Sequence, residues 1–374
     1  MKSDKSTPNV PTLRFKQYDD KWTICNLSDI ASVVGGGTPD TTDPLLWNGN
    51  VQWFTPTEVG HSKYVSKSVR TISRLGLQKS SAKVLPQGSI LLSSRATVGE
   101  CSIVKNECTT NQGFQSLIPR KGINNEFLYY LSQTKKKHFI KYASGSTFLE
   151  ISNSEIKKTK CAVPCIDEQA KIAEFLSLLD EKIETQNKII EDLKILKKEL
   201  CRKMLSSITE HKTLGELCSI TTGKLDANAN NLNGLYPFFT CGKDTLSIDN
   251  YAFDGEAILI AGNGDIGHTK YYYGKFNAYQ RTYVLMGFKA DAQFIKMGID
   301  TYLPQKISEE TQGGAMPYIK LSTLTSLKIP FTTEEKQLSI RNHYDTIAQK
   351  VENETKVLDL LLQQKSYFLN AMFI

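Results

Sequence analysis

Apolar residues recur in alternating steps of four and three along two long segments of the chain. The first ladder contains Ile172, Leu176, Leu179, Ile183, Ile190, Leu193, Leu200 and Met204. The second contains Ile340, Tyr344, Ile347, Val351, Leu358, Leu361, Phe368 and Met372, each 168 residues after its counterpart. Such spacing is typical of the seam of a coiled coil. Polar residues interrupt both ladders at the same rungs, which predicts two helices built to pair with each other.

The length of these ladders and the residues at their starts are typical of long helices. Residues 167–205 would form a helix of roughly 58 Å at 1.5 Å per residue. Acidic residues lie in the first turn of both predicted helices, where the helix dipole stabilises negative charge, and Thr332 can act as an N-cap. Pro164 and Pro330 end the preceding segments.

The segments between the ladders also repeat, though more loosely. The first copy holds about twenty extra residues before Gly88, judged from the change in offset. The matched stretches are Leu27–Ile30 with Leu214–Leu217, Gly88–Leu92 with Gly255–Leu259, Asn111–Gly113 with Tyr279–Arg281, and Phe148–Ser152 with Tyr318–Ser322. The unit of organisation is therefore a globular domain followed by a long helix, used twice.

Short β-rich runs alternate with Gly, Asn and Pro turns inside each globular segment. The predicted strands are 89–93, 101–104, 115–118, 257–261, 270–273 and 283–286, with a helix near 125–134. We predict α+β domains with mixed, curved sheets. The predicted boundaries are 1–165, including an N-terminal tail at 1–20, then 166–210 for the first helix, 211–330, and 331–374 for the second helix.

Charge distinguishes the two globular segments. The net charge is +7, yet residues 1–165 carry 22 basic and 12 acidic residues whereas residues 211–330 carry 11 of each. A basic surplus on one segment hints at a polyanionic partner, and a solvated surface is the alternative. Apolar runs are too short for a membrane span and the start lacks a signal-peptide core, so we expect a cytoplasmic protein.

The eight cysteines include no C-x-x-C pair and do not cluster with the histidines, so we expect reduced thiols and no metal site.

The matches to catalytic and nucleotide-binding motifs lack the flanking residues that those motifs require. Gly262–Gly267 matches G-x-G-x-x-G, but a β pattern follows it where a dinucleotide site needs a helix, so we predict a turn between strands. Gly242-Lys243-Asp244 lacks the other residues of a P-loop. An N-P-P-[FY] box is absent, and no Asp/Glu-x-Lys triplet of a nuclease follows Pro39-Asp40 within the next few dozen residues. The chain is predicted to bind rather than to catalyse.

Several segments resemble the DNA-specificity subunit of type I restriction-modification systems. They are Leu13–Phe15 with Trp22, Gly35–Pro39 with Trp47 and Trp53, Ile72–Leu77, Pro86–Arg95, and Glu168-Gln169 followed by Ile172. In the second copy Lys336 replaces the Glu. The resemblance covers nearly the whole chain and is most specific in the first half.

The resemblance implies two target-recognition domains joined by two long antiparallel coiled-coil helices, with an internal pseudo-twofold repeat. It implies a non-catalytic subunit that binds an asymmetric, two-part site in double-stranded DNA. Two methyltransferase subunits and a motor-nuclease restriction subunit would be the partners, and they would hold S-adenosylmethionine, ATP and magnesium for adenine N6 methylation. Alternatives are the specificity module of a related system with fused catalytic subunits, or a self-contained DNA methyltransferase or nuclease.

Candidate DNA contacts in the first domain are cations and amides. Four cations would form one basic face if their segment is helical, and a solvated surface is the alternative. Arg95 and Thr97 would project from a loop, with a salt bridge or cap as the alternative, and Gln112 and its neighbour Asn111 could pair with adenine or support a turn. The candidates are Lys63, Lys67, Arg70, Arg74, Lys83, Arg95, Thr97 and Gln112.

The second domain has candidates around its Gly-rich turn, and its contacts should be fewer because it is neutral. Alternation along the tyrosine run places Tyr271 and Tyr273 on the face opposite Tyr272. The candidates are Asn263, His268, Lys270, Tyr271, Tyr273, Gln280 and Arg281, the last as the best base-reading residue.

The conserved helices are expected to carry the seam and the partner surface. Besides the seam residues Ile172, Leu176, Leu179, Ile183, Ile190, Leu193, Ile340, Tyr344, Ile347, Val351, Leu358 and Leu361, this set includes Glu168 and Gln169. The coiled coil should also fix the unread spacer of the target. Inserting one helical turn within residues 180–200 should change spacer length and leave both half-sites intact, and an unchanged spacer would contradict this ruler.

Overall fold

The computed structural model describes residues 10–145, 149–310 and 318–374. The chain forms two compact units. Unit 1 consists of Met1–Thr185 and Leu358–Ile374, and unit 2 consists of Gln186–Val357. Both divisions fall inside the long helices, so each unit contains part of both.

Unit 1 contains ten strands and five short α-helices before the first long helix, counted over its described residues. The strands are β1 (Thr23–Asn26), β2 (Ala31–Gly35), β3 (Trp47–Phe54), β4 (Tyr64–Val65), β5 (Arg70–Ile72), β6 (Ile90–Leu92), β7 (Cys101–Val104), β8 (Thr109–Thr110), β9 (Gln115–Pro119) and β10 (Lys160–Val163). The helices are α1 (Leu27–Ile30), α2 (Arg74–Gln78), α3 (Asn125–Thr134), α4 (Lys136–Tyr142) and α5 (Asn153–Lys158). The first long helix, α6, spans Ile166–Ser206.

Unit 2 repeats much of this order. Its strands are β11 (His211–Thr213), β12 (Ser219–Thr222), β13 (Tyr236–Phe239), β14 (Thr245–Ile248), β15 (Phe253–Ala261), β16 (Thr269–Ala278), β17 (Thr282–Met286) and β18 (Lys328–Pro330). Its helices are α7 (Leu214–Leu217), α8 (Ala292–Glu310) and α9 (Leu321–Thr325). The second long helix, α10, spans Glu334–Ala371.

The sheets of the two units share their central ladder. In unit 1 the order is β2-β9-β6-β7-β4, and a second sheet has the order β5-β3-β8. In unit 2 one sheet has the order β12-β17-β15-β16-β13-β14. Ile90 pairs with Ile103 and Leu117, and Ile258 pairs with Tyr271 and Leu285. Each residue of the first set thus corresponds to one 168 positions later, which places the strand match one residue from the alignment of Gly88 with Gly255.

A difference in strand length explains why the six-stranded sheet of unit 2 corresponds to two separate sheets in unit 1. The single strand β16 pairs with β15 along its first part and runs parallel to β13 at its end, where Phe238 faces Asn277. In unit 1 the corresponding chain is split into β7 and β8, and Trp53 of β3 faces Thr109 in the same parallel sense. The ladder interrupted between Val104 and Thr109 therefore leaves β3, β5 and β8 as a separate sheet.

Each unit has an apolar core of its own. In unit 1 the side chains of Trp22, Phe127 and Tyr130 are buried together with Leu176 from α6 and Phe373 after α10. In unit 2 the sheet residues Ile258 and Leu285 pack against Ile295 and Leu303 of α8. Burying such side chains contributes about 1.5–3 kcal/mol each, which explains why the apolar runs form the central strands.

The long helices run antiparallel where they meet within each unit. In unit 1 the rings of Phe175 and Phe368 lie 4.8 Å apart, and Lys365 Nζ lies 2.6 Å from Asp180 Oδ1. In unit 2 Gln186 Nε2 donates to Glu354 Oε2 at 2.7 Å. The predicted seam residues are buried or half-buried. This confirms the predicted coiled-coil seam, and it shows that two of the matched polar rungs bond to each other.

Buried glutamines attach each long helix to its unit in the same way. Gln169 Oε1 accepts from Asn124 N at 2.9 Å, and its Nε2 donates to Pro164 O at 3.0 Å. In unit 2 Gln337 Oε1 accepts from Asp291 N at 3.1 Å, and its Nε2 donates to Thr332 O at 2.6 Å. Asn124 and Asp291 immediately precede α3 and α8. The helix start and the neighbouring domain helix are thus tied through one amide in both copies.

The structure confirms the predicted α+β class and strands, but not every local prediction. Residues 63–74 form β4, β5 and the start of α2, so the helical basic face proposed for Lys63, Lys67, Arg70 and Arg74 is wrong. Phe148, part of one predicted repeat match, lies outside the described residues. Among the residues that are described, no helix combines the length and apolar character needed to cross a membrane.

Candidate nucleic-acid interface

Two hairpin loops with the same backbone occupy corresponding places in the two units. The first hairpin loop, Ser93–Glu100, joins β6 to β7, and the second hairpin loop, Ala261–His268, joins β15 to β16. Gly99 N donates to Ser93 O at 2.9 Å, as Gly267 N does to Ala261 O at 2.9 Å. The main chain therefore returns through the same turn in both loops, and the predicted turn at the Gly-rich motif is confirmed.

A left-handed residue stands at the tip of both loops. Ala96 and Gly264 each have φ of 64°. Glycine adopts this conformation without strain, whereas alanine has a Cβ that clashes there. Because unit 1 keeps the conformation despite alanine, the surrounding hydrogen bonds determine the loop geometry in unit 1.

A second turn lies against each hairpin loop. Ser94 N donates to Gly113 O at 2.8 Å, and Gly262 N donates to Arg281 O at 3.0 Å. The turns Asn111–Gly113 and Tyr279–Arg281 were matched in the sequence, and here they hold the same position. A Cβ on Gly36 would lie 2.0 Å from Asn111 O, and one on Gly223 would lie 1.9 Å from Ala278 O. A glycine is therefore required beside each turn.

In unit 1 this arrangement gathers three predicted residues. Arg95 donates through Nε and Nη2 to Glu150 Oε2 at 3.0 and 2.6 Å, with both side chains more than a third exposed. Thr97 Oγ1 donates to Pro56 O at 3.3 Å, and Gln112 Oε1 accepts from Thr38 Oγ1. The result is an exposed guanidinium beside an exposed amide at one end of the sheet.

In unit 2 the same places carry different groups, except that Gln280 stands where unit 1 has Gln112. Asn263 is half-buried, whereas Gln280, Arg281 and His268 are exposed. Gln280 N donates to Leu225 O at 2.8 Å, which fixes its backbone. An open cleft of about 610 Å³ lies beside the loop. The cleft is lined by Ala227, Thr240, Cys241, Gly242, Lys243, Asn263, Gly264, Asp265 and Tyr279.

Other predicted residues of unit 1 lie elsewhere and are partly engaged. Lys63 Nζ lies 3.0 Å from Glu126 Oε2 and 2.5 Å from Ser177 Oγ, and the side chain is only 12% exposed. Burial works against the Glu126 carboxylate, but hydrogen bonds from Tyr64 and Lys63 outweigh it and lower the Glu126 pKa. Lys63 therefore holds a structural network together.

Arg70 is engaged as well, because its Cζ lies 3.7 Å from the centre of the Trp47 ring, a cation–π contact. Lys67, Arg74 and Lys83 are exposed and make no ion pair within the described part of the chain. These three cations remain available to phosphate.

The β16 candidates of unit 2 divide into structural and exposed residues. Lys270 Nζ donates to Gly242 O at 3.3 Å and to Asp244 O at 3.2 Å, and burial lowers its pKa. Tyr271 Oη donates to Glu256 Oε1 at 2.7 Å, and burial together with this bond raises its pKa. Tyr273 is 74% exposed. Of the three, Tyr273 alone keeps its functional group open to solvent.

Two residues assigned to the partner-facing helix lie inside unit 1. Glu168 accepts bonds of 2.7 Å from both Arg14 Nε and Arg14 Nη2, and Glu168 is 1% exposed. Gln169 is buried as described above. Glu168 and Gln169 therefore attach the helix to its own domain instead of offering a surface to another subunit.

Three groups at the loops were missed by sequence reasoning. Asp265 lies 168 residues after Thr97, so the repeat offset could have pointed to it. Glu150 and Thr38 contact Arg95 and Gln112 from distant parts of the chain, and the sequence carries no local signal for those pairs.

Comparison with known proteins identifies the repeated unit. A family model described as the type I restriction modification DNA specificity domain matches residues 19–194 and again residues 208–363. The type I restriction enzyme MjaIX specificity subunit of Methanocaldococcus jannaschii is 38% identical over 179 residues, covering 46% of this chain and 41% of that protein. The EcoDI specificity subunit of Escherichia coli is 38% identical over 159 residues, covering 42% of this chain and 35% of that protein. The chain thus spans about two fifths of the length of these relatives.

Other relatives align over most of both proteins. The EcoprrI specificity subunit of Escherichia coli is 24% identical over 366 residues, covering 88% of this chain and 89% of that protein. A crystal structure of the type I restriction-modification S subunit from M. genitalium matches the fold with a TM-score of 0.57 at 19% identity, covering 98% of this chain and 99% of the other. A chain from a solved type I R-M structure matches with a TM-score of 0.64 at 17% identity, covering 93% and 96%.

Two matches of one family model, in the same two segments that fold into the same ladder and the same loops, leave a single assignment: the chain belongs to the type I restriction-modification DNA specificity domain family and carries that domain twice.

Proposed function

We propose that this chain is the DNA-specificity subunit of a type I restriction-modification system and that each unit recognises one part of a two-part double-stranded DNA target. The observation that carries the proposal is the pair of hairpin loops. Their backbones share hydrogen bonds and a left-handed tip, while their side chains differ at almost every position. A constant frame with variable polar groups is what reading two different sequences requires.

In unit 1 we assign base reading to Arg95 and Gln112. An ion pair as exposed as Arg95 with Glu150 contributes little to stability. Its value lies in orientation, because a fixed guanidinium can form two parallel bonds to guanine O6 and N7. The exposed Lys67, Arg74 and Lys83 would contact phosphates and set the register on the duplex.

In unit 2 we assign base reading to Asn263, Gln280 and Arg281, which lie on the second hairpin loop and its neighbouring turn. Amide groups dominate there, in keeping with the zero net charge of residues 211–330. The two parts of the target should therefore differ in sequence.

The outer faces of the long helices are the proposed binding surface for modification subunits. Exposed apolar side chains recur there, and contiguous exposed apolar surface marks interaction sites. The residues are Leu178, Ile189, Ile195, Leu196, Val357, Leu360, Leu362 and Tyr367. Because the domain occurs twice, we propose two modification subunits, with restriction subunits joining for cleavage. S-adenosylmethionine, ATP and magnesium would be held by those partners.

Replacing Leu360 with lysine tests this surface. Leu360 is 64% exposed, so the chain should fold normally and lose the modification subunit on copurification. Gln349→Lys is the matched control, because it adds the same charge at an exposed position of the same helix that lies more than two turns from Val357, the nearest residue of α10 in the proposed surface. Equal retention of the subunit by both variants would place the interface elsewhere.

The proposed function is tested by expressing this chain with its modification subunit in cells and mapping DNA methylation by sequencing. We expect methylation at an asymmetric target with two specified parts and an unread spacer. Methyl transfer or cleavage by the purified chain alone, or methylation without sequence preference, would refute the proposal.

A further inference from the structure

One carboxylate oxygen of the second hairpin loop has no hydrogen-bond donor. Asp265 Oδ2 is buried and unpartnered among the described residues. The Asp265 backbone is held independently, since its N donates to Cys241 O at 3.2 Å and its O accepts from His268 N at 3.0 Å. A buried acceptor without a donor is unfavourable, and such exceptions call for an explanation.

The first hairpin loop shows that this fold does not need the carboxylate. Thr97 takes the corresponding place, and Thr97 O accepts from Glu100 N at 3.0 Å, as Asp265 O does from His268 N. The Thr97 hydroxyl is satisfied inside unit 1 by bonds to Ser93 Oγ and Pro56 O. The unsatisfied group in unit 2 is therefore a property of that loop's side chain and not of the backbone.

Asp265 lines the open cleft of about 610 Å³ beside the second hairpin loop. One wall of the cleft is fixed, because Lys270 Nζ donates to the carbonyls of Gly242 and Asp244. The adjacent tip residue is Gly264, which carries no side chain over the carboxylate. A group entering the cleft can therefore approach Asp265 closely.

The chemistry of the carboxylate selects the ligand. An ionised carboxylate only accepts hydrogen bonds, and it repels phosphate and carbonyl oxygens. The donors that duplex DNA offers in its major groove are the exocyclic amino groups of cytosine and adenine. Lys243 is exposed at the same cleft and can contact the neighbouring phosphate.

We propose that Asp265 reads the exocyclic amino group of one base, N4 of cytosine or N6 of adenine, in the part of the target recognised by unit 2. The inference rests on the proposed function and names one of its specificity residues. Partial rotation about χ2 redirects both carboxylate oxygens, so the carboxylate can turn toward the cleft and accept from the arriving amino group, which supplies the donor that it lacks in the free protein.

The substitution Asp265→Asn tests the proposal in the complex of this chain with its modification subunits. Binding is measured against a library randomised across both parts of the target. The wild-type complex should prefer an amino-bearing base by about tenfold at one position of the unit 2 part. An amide both donates and accepts, so D265N should relax that position until cytosine or adenine and the carbonyl-bearing bases bind within about threefold of one another.

Asp254→Asn is the control, because it makes the same change at an exposed carboxylate on β15 away from the cleft. Asp265→Thr copies the residue that unit 1 uses and guards against misfolding; it should lose the preference at the same position. Unchanged preference in both Asp265 variants, or an equal loss at every position of the unit 2 part, would overturn the assignment of Asp265. A wild-type complex with no sequence preference would instead overturn the proposed function.

Discussion

The two hairpin loops show that one backbone can carry two chemistries. Most hydrogen bonds between main-chain groups correspond across Ser93–Glu100 and Ala261–His268, although Thr97 N donates to Arg95 O and its counterpart Asp265 N donates to Cys241 O. The side chains do not correspond, since Arg95 is paired with Glu150 in one loop and Asp265 lacks a partner in the other. Main-chain hydrogen bonds determine the conformation of these loops, so their side chains can vary without loss of the fold.

The matched rungs of the long helices differ in the same way. Lys365 in unit 1 lies 2.6 Å from Asp180. Lys197, its counterpart in unit 2, lies 4.7 Å from the centre of the Tyr344 ring, because alanine stands where unit 1 has Asp180. A polar rung is kept in both copies although the partner that satisfies it has changed.

The two units differ most in the ion pairs that attach the first turn of each long helix to its domain. Unit 1 uses the buried pair of Arg14 and Glu168. In unit 2 Lys336 takes the place of Glu168 and is exposed, and Arg341 pairs instead with Asp291 at 2.6 Å in a half-buried site. A buried charge pair loses far more than an exposed one when one partner is removed.

The largest expected effect follows from that contrast. Glu168→Gln should lower the free energy of unfolding of unit 1 by about 3–5 kcal/mol, because it leaves the Arg14 guanidinium without its counter-charge. All three tryptophans lie in unit 1, so tryptophan fluorescence during guanidinium unfolding reports on it directly. Lys336→Gln is the control and should change unfolding by less than about 0.5 kcal/mol. Similar losses in both variants would refute the difference in attachment.

A smaller effect is expected at the loop tips. Ala96→Gly should raise the stability of unit 1 by about 1 kcal/mol, because glycine relieves the strain of a positive φ. Gly264→Ala should lower the stability of unit 2 by a similar amount. A Cβ on Gly264 would come no closer than 3.5 Å to Cys241 O, so φ strain alone should act. Unfolding followed by circular dichroism covers unit 2, and changes of the same sign in both variants would contradict a shared backbone.

The helices, the strands and the internal repeat were predictable because each produces a periodic pattern of apolar residues. The heptad ladders and the strands at Cys101–Val104 and Thr282–Met286 follow from short-range patterns of apolar residues. The same logic explains a failure: the basic residues from Lys63 to Arg74 have helical spacing, but charges that point to solvent do not determine secondary structure. Of the β-branched apolar residues between them, Val65 and Ile72 lie in short strands.

The candidate site was predictable only in part, for a different physical reason. Arg95 and Gln112 could be placed on loops because the strands before them were recognisable. Their partners, Glu150 and Thr38, lie far away in sequence, and such contacts exist only after folding. Asp265 could have been predicted as a candidate, because the offset of 168 residues that relates the two long helices also relates Asp265 to Thr97. The Gly-rich motif was predicted only as a turn between strands, and the individual residues of that turn were not matched to those of the first copy.

The smallest expected effect per residue concerns phosphate contacts. Each neutralised phosphate contributes about 0.9 to the slope of log affinity against log salt. Removing the exposed cations Lys67, Arg74 and Lys83 by alanine substitution should therefore flatten that slope by about 2–3 for the complex with its modification subunits. In unit 2 the exposed Lys224 and Lys243 have aspartates close by in sequence, so their removal should flatten it by less than about 1. Titrations of specific DNA at several salt concentrations measure both slopes. A greater flattening from the unit 2 variant would mean that the neutral domain supplies the phosphate contacts, and that the excess charge of residues 1–165 is solvated surface.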